Sequence, residues 1–213
     1  MASADKMMVK AKGPVWHQKQ KRKGIIPKGL RGVDREATWC TSAATGWVYG
    51  HGAFSIVPHK VPIVGLFVWM RNSANEAKRM ASEIISYQEQ IETICMDSKA
   101  DDAGLYYWLK IELGMQLLTK CRRGFDKTEA RRQMKREMSK RRFQDIYKRR
   151  SVTVEPMQGL VKNIFDLDRC WMRGDDNNRW LFAAMGVAVQ IAQWQAYKVK
   201  QSTWNIKTMV LGV

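Results

Sequence analysis

A chain of 213 residues, 45% of them hydrophobic, can bury a proper core and is most simply one α/β-sized domain. Its net charge of +17 is clustered: residues 1–36 carry ten Lys and Arg against three acids, residues 120–150 carry fourteen against four, and the remainder balance at thirteen against thirteen. Clustered excess of this kind calls for a polyanionic partner, and the lack of an uninterrupted apolar span of membrane length favours nucleic acid over a bilayer.

The first twenty residues hold no signal-peptide core, so the expected compartment is the cytosol. A short strand around Asp5 is ended by Gly13 and Pro14, and a basic loop follows from Gln18 to Arg35 with Gly24, Pro27, Gly29 and Gly32 as breakers. Only four residues precede Asp5, so the N-terminus reads as truncated or reinitiated. Thr38–Ser42 and, after a turn at Thr45–Gly46, the alternating segment W-V-Y-G-H-G-A-F-S-I-V read as strands. Pro58 to Lys60 then turns the chain into V-P-I-V-G-L-F-V-W-M, an antiparallel neighbour with Pro62 at a start or edge.

Ser73, three residues before Glu76, opens a helix in capping-box form that runs to about Gln90. Glu92–Asp97 is a short apolar strand ending on an acid, Asp101 and Asp102 head a helix that ends near Gly114, and M-Q-L-L-T-K is another strand. Strand, helix, strand, helix, strand with short links predicts parallel pairing joined to the antiparallel hairpin, hence a mixed α/β sheet. Residues 121–150 have almost no apolar face. They read either as a flexible basic linker or, with Phe125, Phe143 and Tyr147 among the cations, as a nucleic-acid-facing segment, helical over Glu129–Lys140 and solvated. Leu160, Val161, Ile164, Phe165 and Leu167 recur at helical spacing behind Pro156, which predicts an amphipathic helix opening near Glu155. A turn at Arg173–Asn178 leads to a strongly apolar helix from Trp180 to Lys198, the two helices packing antiparallel on the sheet.

Glu155 is preceded by Tyr147, Lys148, Arg149 and Arg150 and followed by Lys162, Arg169 and Arg173. A carboxylate ringed by cations suits a metal ion held against phosphates, although a lone Glu at a helix start also answers simply to the helix dipole. Chemistry in an open α/β sheet collects at the carboxyl ends of adjacent strands, where Asp97 falls. Asp5 on the first strand, Asp97 and Glu155 could together hold two divalent ions. The cysteines, Cys40, Cys95, Cys121 and Cys170, are too dispersed for a zinc site or a disulfide framework, and His17, His51 and His59 are equally scattered.

The ordered segments D-K-M-M-V-K-A-K-G-P-V-W-H, G-V-D-R-E-A-T-W, G-W-V-Y-G-H-G, I-C-M-D-S-K-A-D-D and Y-K-R-R-S-V-T-V-E-P-M-Q-G-L-V-K resemble the catalytic domain of bacterial insertion-sequence transposases of the DDE type, over most of residues 5–200. The resemblance implies an RNase H-like fold with catalytic, metal-binding Asp5, Asp97 and Glu155, and prefers Asp5 to Asp34 for the first position. It also implies DNA contacts from Tyr147, Arg149, Arg150, Lys162 and Arg169. The family signature of Tyr, Arg, Glu and Lys is met by Tyr147, Arg150, Glu155 and Lys162, with one extra residue between Arg and Glu. Where the family often has an aromatic after the second Asp, this chain has Ala100 followed by Asp101 and Asp102, either of which could be a carboxylate neighbour. The family's usual N-terminal DNA-end-binding domain has no counterpart here.

The resulting expectation is one RNase H-like catalytic domain over 1–213, with a basic N-terminal segment (1–36), a basic DNA-facing insertion (120–150) and a helix pair carrying the Glu (151–200). It would cut transposon ends and transfer strands with two Mg²⁺ ions, or Mn²⁺ in their place, acting on double-stranded DNA as a homodimer in the cytoplasm at the nucleoid. Two other readings are an inert basic nucleic-acid-binding remnant and a nuclease of the same fold without strand transfer.

Overall fold

The computed structural model describes residues 1–26, 28–42, 46–61, 63–121 and 128–212. Pro27, Thr45, Pro62 and Phe125, to which the sequence assigns a breaker, a turn, a strand edge and a stacking ring, lie outside those residues. The strands are β1 (Ala2–Lys10), β2 (Thr38–Ser42), β3 (Gly46–Pro58), β4 (Leu66–Arg71), β5 (Thr93–Cys95) and β6 (Gln116–Leu118). The helices are α1 (Gln18–Arg22), α2 (Glu76–Ile84), α3 (Ala103–Glu112), α4 (Glu129–Ser139), α5 (Arg141–Lys148), α6 (Val154–Phe165), α7 (Asp175–Lys198) and α8 (Lys207–Leu211). Strand order is β2-β3-β1-β5-β6, with β4 also paired to β3. β2 runs antiparallel to β3 (Thr38↔Gly50 through Ser42↔Gly46), whereas β5 is parallel both to β1 (Ala2↔Ile94) and to β6 (Ile94↔Leu117). The expected mixed α/β sheet flanked by helices is therefore present.

Two compact units make up the chain: Met1–Asp5, Ser55–Gly65 and Asn75–Gln158 in the first, and Lys6–Phe54, Leu66–Ala74 and Gly159–Val213 in the second. In the first, β5 is buried along its whole length, as a strand covered on both faces must be. α2 starts two residues later than the Ser73 capping box predicts. Asn75 takes the cap instead, its Oδ1 accepting from the Ala77 and Lys78 amides at 2.8 and 3.3 Å. Asp102 caps α3 by accepting from the Leu105 amide at 2.9 Å. α4 corrects the expectation of a wholly solvated helix. Ala130 and Met134, four residues apart, form a narrow buried stripe. On the same helix Glu137 accepts from Tyr106 Oη at 2.8 Å and Gln116 Nε2 at 2.6 Å.

In the second unit the basic loop contains a helix, α1, which the sequence reading did not give. Lys21 lies 5.4 and 5.2 Å from the ring centroids of Trp16 and Tyr49. Those rings belong to a small core with Ala11, Val33 and Ala37, so the lysine stem is held by apolar and aromatic contact rather than free in solvent. α7 packs on β4 through Phe182, Met185 and Val189. Gly186 permits the contact: a Cβ there would meet the Phe67 carbonyl oxygen at 2.9 Å. Gly174 precedes α7 at φ +87°, a conformation that favours glycine. The helix start is capped from elsewhere in the chain, Asp34 Oδ2 accepting from the Gly174 amide at 3.1 Å and Glu36 Oε2 from the Asp175 amide at 2.7 Å.

Candidate active site

Three carboxylates meet in the first unit. Asp5 lies midway along β1, Asp97 two residues past β5, and Glu76 is the first residue of α2. One oxygen from each can be chosen so that all three lie within 4.8 Å of one another. The pairing of β1 with β5 explains the first two, since with Ser3 opposite Cys95 in parallel register Asp5 and Asp97 come to the same end of the sheet. Asp97 is oriented by its own backbone, Oδ1 accepting from the Lys99 amide at 2.8 Å. Lys99 Nζ in turn lies 3.3 Å from Glu76 Oε1, and the Glu76 side chain is only 2% exposed. A buried acid beside two half-buried ones is costly unless cations answer it.

Arg150 supplies much of that answer. Its Nη2 donates to Asp5 Oδ2 and its Nη1 to Glu155 Oε1, both at 2.7 Å. Burial opposes the guanidinium charge, but Asp5 and Glu155, with Tyr147 and Asp97 behind them, more than offset this and hold its pKa above the ordinary value. Glu155 sits in the first turn of α6 as the sequence predicts, about half exposed. The structure thus brings Asp5 and Asp97 into one cluster and links Glu155 to it through Arg150, while the third member of the tight group is Glu76. Sequence reasoning missed Glu76 because it served there as the capping-box partner of Ser73, a local role that fully accounts for an acid at that position. Asp101 and Asp102, the other candidate neighbours, have separate partners: Arg131 Nη2 lies 3.2 Å from Asp101 Oδ2, and Asp102 caps α3.

A basic groove adjoins Arg150. It encloses about 730 Å³ and is lined by Lys120, Lys135, Tyr147, Lys148 and Arg150 among others. It lies beside the carboxylates rather than over them, and Arg150 belongs to both. Tyr147 is half-buried with Lys120 Nζ 5.8 Å from its ring centroid. Burial, opposed by Arg150 and assisted by the Asp97 and Asp5 carboxylates, pushes its pKa up, so it remains a donor at neutral pH. Lys140, Arg141, Arg142 and Arg149 are exposed along α5 and its ends, the first and third of them about 6 Å from the Phe143 ring centroid. α5 itself was not foreseen within the basic run.

The remaining sequence candidates lie in the second unit. Lys162 is half-buried on α6, and Arg169 is exposed with Nη1 donating to the Gly13 carbonyl at 2.7 Å. Asp34, the alternative first acid, is 1% exposed and structural: Oδ2 pairs with His51 Nε2 at 2.9 Å, Oδ1 accepts from the Glu36 amide at 3.2 Å, and its backbone carbonyl accepts from Tyr49 Oη. His51 Nδ1 accepts from Trp69 Nε1 at 3.1 Å, so this histidine orients a buried network. The four cysteines are free, and burial pushes Cys95 and Cys170 up to about 12, which makes them inert thiols. Among the described residues no helix is long and apolar enough to cross a membrane.

No curated protein and no solved structure matches the chain. A family model described as Transposase DDE domain does match, over residues 116–194, a span that contains Glu155, the basic groove residues and most of α7 but not Asp5, Glu76 or Asp97. Over residues 116–194, the segment whose sequence signature is strongest, the chain is thus similar to a DDE-type transposase domain.

Proposed function

We propose that the protein is the RNase H-like catalytic domain of a transposase that cuts double-stranded DNA at the ends of a mobile element and joins the freed 3′ hydroxyl to target DNA. The observation that carries this is the convergence of Asp5, Glu76 and Asp97, beside Glu155, in a chain whose residues 116–194 match a transposase domain. An all-oxygen set of carboxylates, one of them buried, fits a hard divalent cation such as Mg²⁺, or Mn²⁺ in its place. Asp5, Asp97 and Glu155 are the proposed catalytic ligands, with Glu76 beside them. When bound, the metal supplies activation of the attacking oxygen and neutralisation of charge on the leaving oxygen.

The chain's own residues do the rest. Arg150 and the Tyr147 hydroxyl present donors at the edge of the carboxylate cluster, where a scissile phosphate would sit. Lys120, Lys135, Lys148 and Arg149 offer charge to flanking phosphates, with Lys162 and Arg169 as further proposed DNA contacts. The phosphorus–oxygen bond to water forms as the bond to the 3′ oxygen breaks, and that oxygen leaves with a proton as the 3′ hydroxyl. In the second displacement the same hydroxyl attacks a target phosphodiester. No enzyme-linked intermediate is needed, because positioning and charge carry phosphoryl transfer.

One observation favours a second reading, a nucleic-acid-binding remnant without chemistry: the carboxylates already hold Arg150 and Lys99 as cationic partners. Calorimetry with Mn²⁺ and a DNA-cleavage assay separate the two. Asp5→Ala, Asp97→Ala and Glu155→Ala are each expected to abolish metal-dependent cleavage while leaving DNA binding largely intact, and Glu76→Gln to weaken Mn²⁺ binding about tenfold or more. Heat of Mn²⁺ binding unchanged by the triple carboxylate variant would leave only the remnant.

A further inference from the structure

Arg150 stands in the short turn Arg149–Val152 between α5 and α6, where it is both a partner of the acids and part of the lining of the basic groove. Its Nη2 and Nη1 each hold one carboxylate oxygen, of Asp5 and of Glu155, at 2.7 Å. Its Nε is buried with no hydrogen-bond partner. Tying the two acids together therefore leaves one donor of the guanidinium idle, which is costly inside a protein. A guanidinium grips a phosphate through two parallel N–H groups, and Nε with Nη2 is such a pair. While the side chain stays on the acids, its charge stands where that of a metal ion would, and two cations at contact distance on the same carboxylates repel each other strongly. Lys99, 3.3 Å from Glu76, adds a second cation to the same cluster.

We propose that Arg150 makes metal loading depend on DNA: in the free chain it is the counter-ion of Asp5 and Glu155, and a backbone phosphate entering the groove draws it away and opens those oxygens to the divalent ion. The inference rests on the metal-site reading above and adds an order to it, nucleic acid before metal. The groove supplies what the exchange needs. Lys120, Lys135 and Lys148 line it together with Arg150, so a phosphate arrives where several charges already attract it. Both sides of the exchange end better matched. The phosphate gains a forked donor whose Nε was idle, and the acids gain a doubly charged ion in place of a singly charged one. The coupling is reciprocal, so metal tightens DNA binding by the same factor by which DNA tightens metal binding. Chemistry is thereby withheld until a substrate phosphate is in place.

Calorimetry with Mn²⁺ on the full chain, alone and saturated with a short synthetic duplex, tests it, the heat of Mn²⁺ on the duplex by itself being subtracted. In the wild type the duplex should tighten Mn²⁺ binding about tenfold or more. Arg150→Ala should bind Mn²⁺ more tightly without DNA and should lose most of the increment that the duplex brings. Arg150→Lys, which keeps the charge but not the planar fork, should fall between the two, and it carries the test if Arg150→Ala does not fold. A second arm needs no metal. In EDTA, Asp5→Asn and Glu155→Gln should each tighten duplex binding severalfold by releasing the guanidinium, and the gain should vanish when Arg150→Ala is added. Asp97→Asn, the same change of charge without an Arg150 ion pair, should gain less. A duplex increment in Mn²⁺ affinity that both Arg150 variants leave unchanged overturns the gate while the metal site stands, and so does a duplex affinity in EDTA that neither Asp5→Asn nor Glu155→Gln alters. No Mn²⁺ heat from any of these proteins, with or without duplex, overturns the metal-site reading itself and the gate with it.

Discussion

Arg150→Ala removes the cation that spans Asp5 and Glu155, and its effect can be worked out from the two ion pairs. At Asp5 both side chains are mostly buried, 15% and 16% exposed, so losing one partner of a charge-assisted pair there costs about 2–3 kcal/mol. At Glu155, which is 48% exposed, water replaces most of the interaction and the cost is below about 1 kcal/mol. The sum, about 2–4 kcal/mol, corresponds to a fall of roughly 4–16 °C in melting temperature for a chain of this size. The proposed divalent cation would answer the same carboxylates, so bound metal should compensate. At a hundredfold excess over its dissociation constant it contributes about 2.7 kcal/mol to any state that binds it. With Arg150 no longer competing, the variant should bind it more tightly than the wild type. Thermal melts of both proteins in EDTA and in Mn²⁺ measure this, and the gap between them should narrow in Mn²⁺. Equal Mn²⁺ increments in the two proteins would refute the idea that arginine and metal share these oxygens.

Burial, the N-terminal amine and Arg149 hold His59 down to about 4, while Ser3 Oγ pairs with its Nε2 at 2.7 Å. Because the folded state resists a proton that the unfolded chain takes near 6.5, this contribution is complete above pH 6.5 and is lost as pH falls towards 4. Allowing for partial exposure it amounts to about 1–2 kcal/mol, and His59→Asn should flatten the urea midpoint across that window. Asp34→Asn should cost about 3 kcal/mol in urea denaturation, since it removes a buried charge from His51 and from the start of α7. Although burial raises the Asp34 carboxyl, the His51 and Gly174 hydrogen bonds pull it below its ordinary value, so its stabilisation is present above about pH 4 and lost below. DNA affinity should fall steeply with salt, and replacing Lys148 or Arg149 by Ala should reduce the slope by about 0.9 for each DNA phosphate that the side chain neutralises. A slope unchanged in both variants would move the DNA path away from α5.

Much of the sheet was legible in the sequence because its signals are local. The alternation before Pro58, the apolar run ending at Asp97 and the cap at Asp102 each need only neighbouring residues. Glu76 was not legible as a cluster member, since a carboxylate in a first helical turn follows the same pattern whether it faces water or two other acids. Only the pairing of β1 with β5 and the approach of α2 distinguish the two. α1 and α5 were hidden for another reason: α1, Q-K-Q-K-R, has no apolar residue of its own, and in α5 dense Lys and Arg mask the few apolar positions, Phe143, Ile146 and Tyr147. α7 was recognised as a helix, but an apolar surplus beyond what one packing face needs was taken as core rather than as a second face.

The acids of the first unit come from widely separated stretches of chain: Asp5 from the opening five residues, and Glu76, Asp97 and Glu155 from Asn75–Gln158, with Ser55–Gly65 completing the fold around them. No single contiguous fragment short of residues 5–155 can carry all four. A deletion that removes either end of that span would therefore dismantle the proposed carboxylate site while leaving the basic residues of 120–150 largely in the chain, so that charge and site can be lost independently.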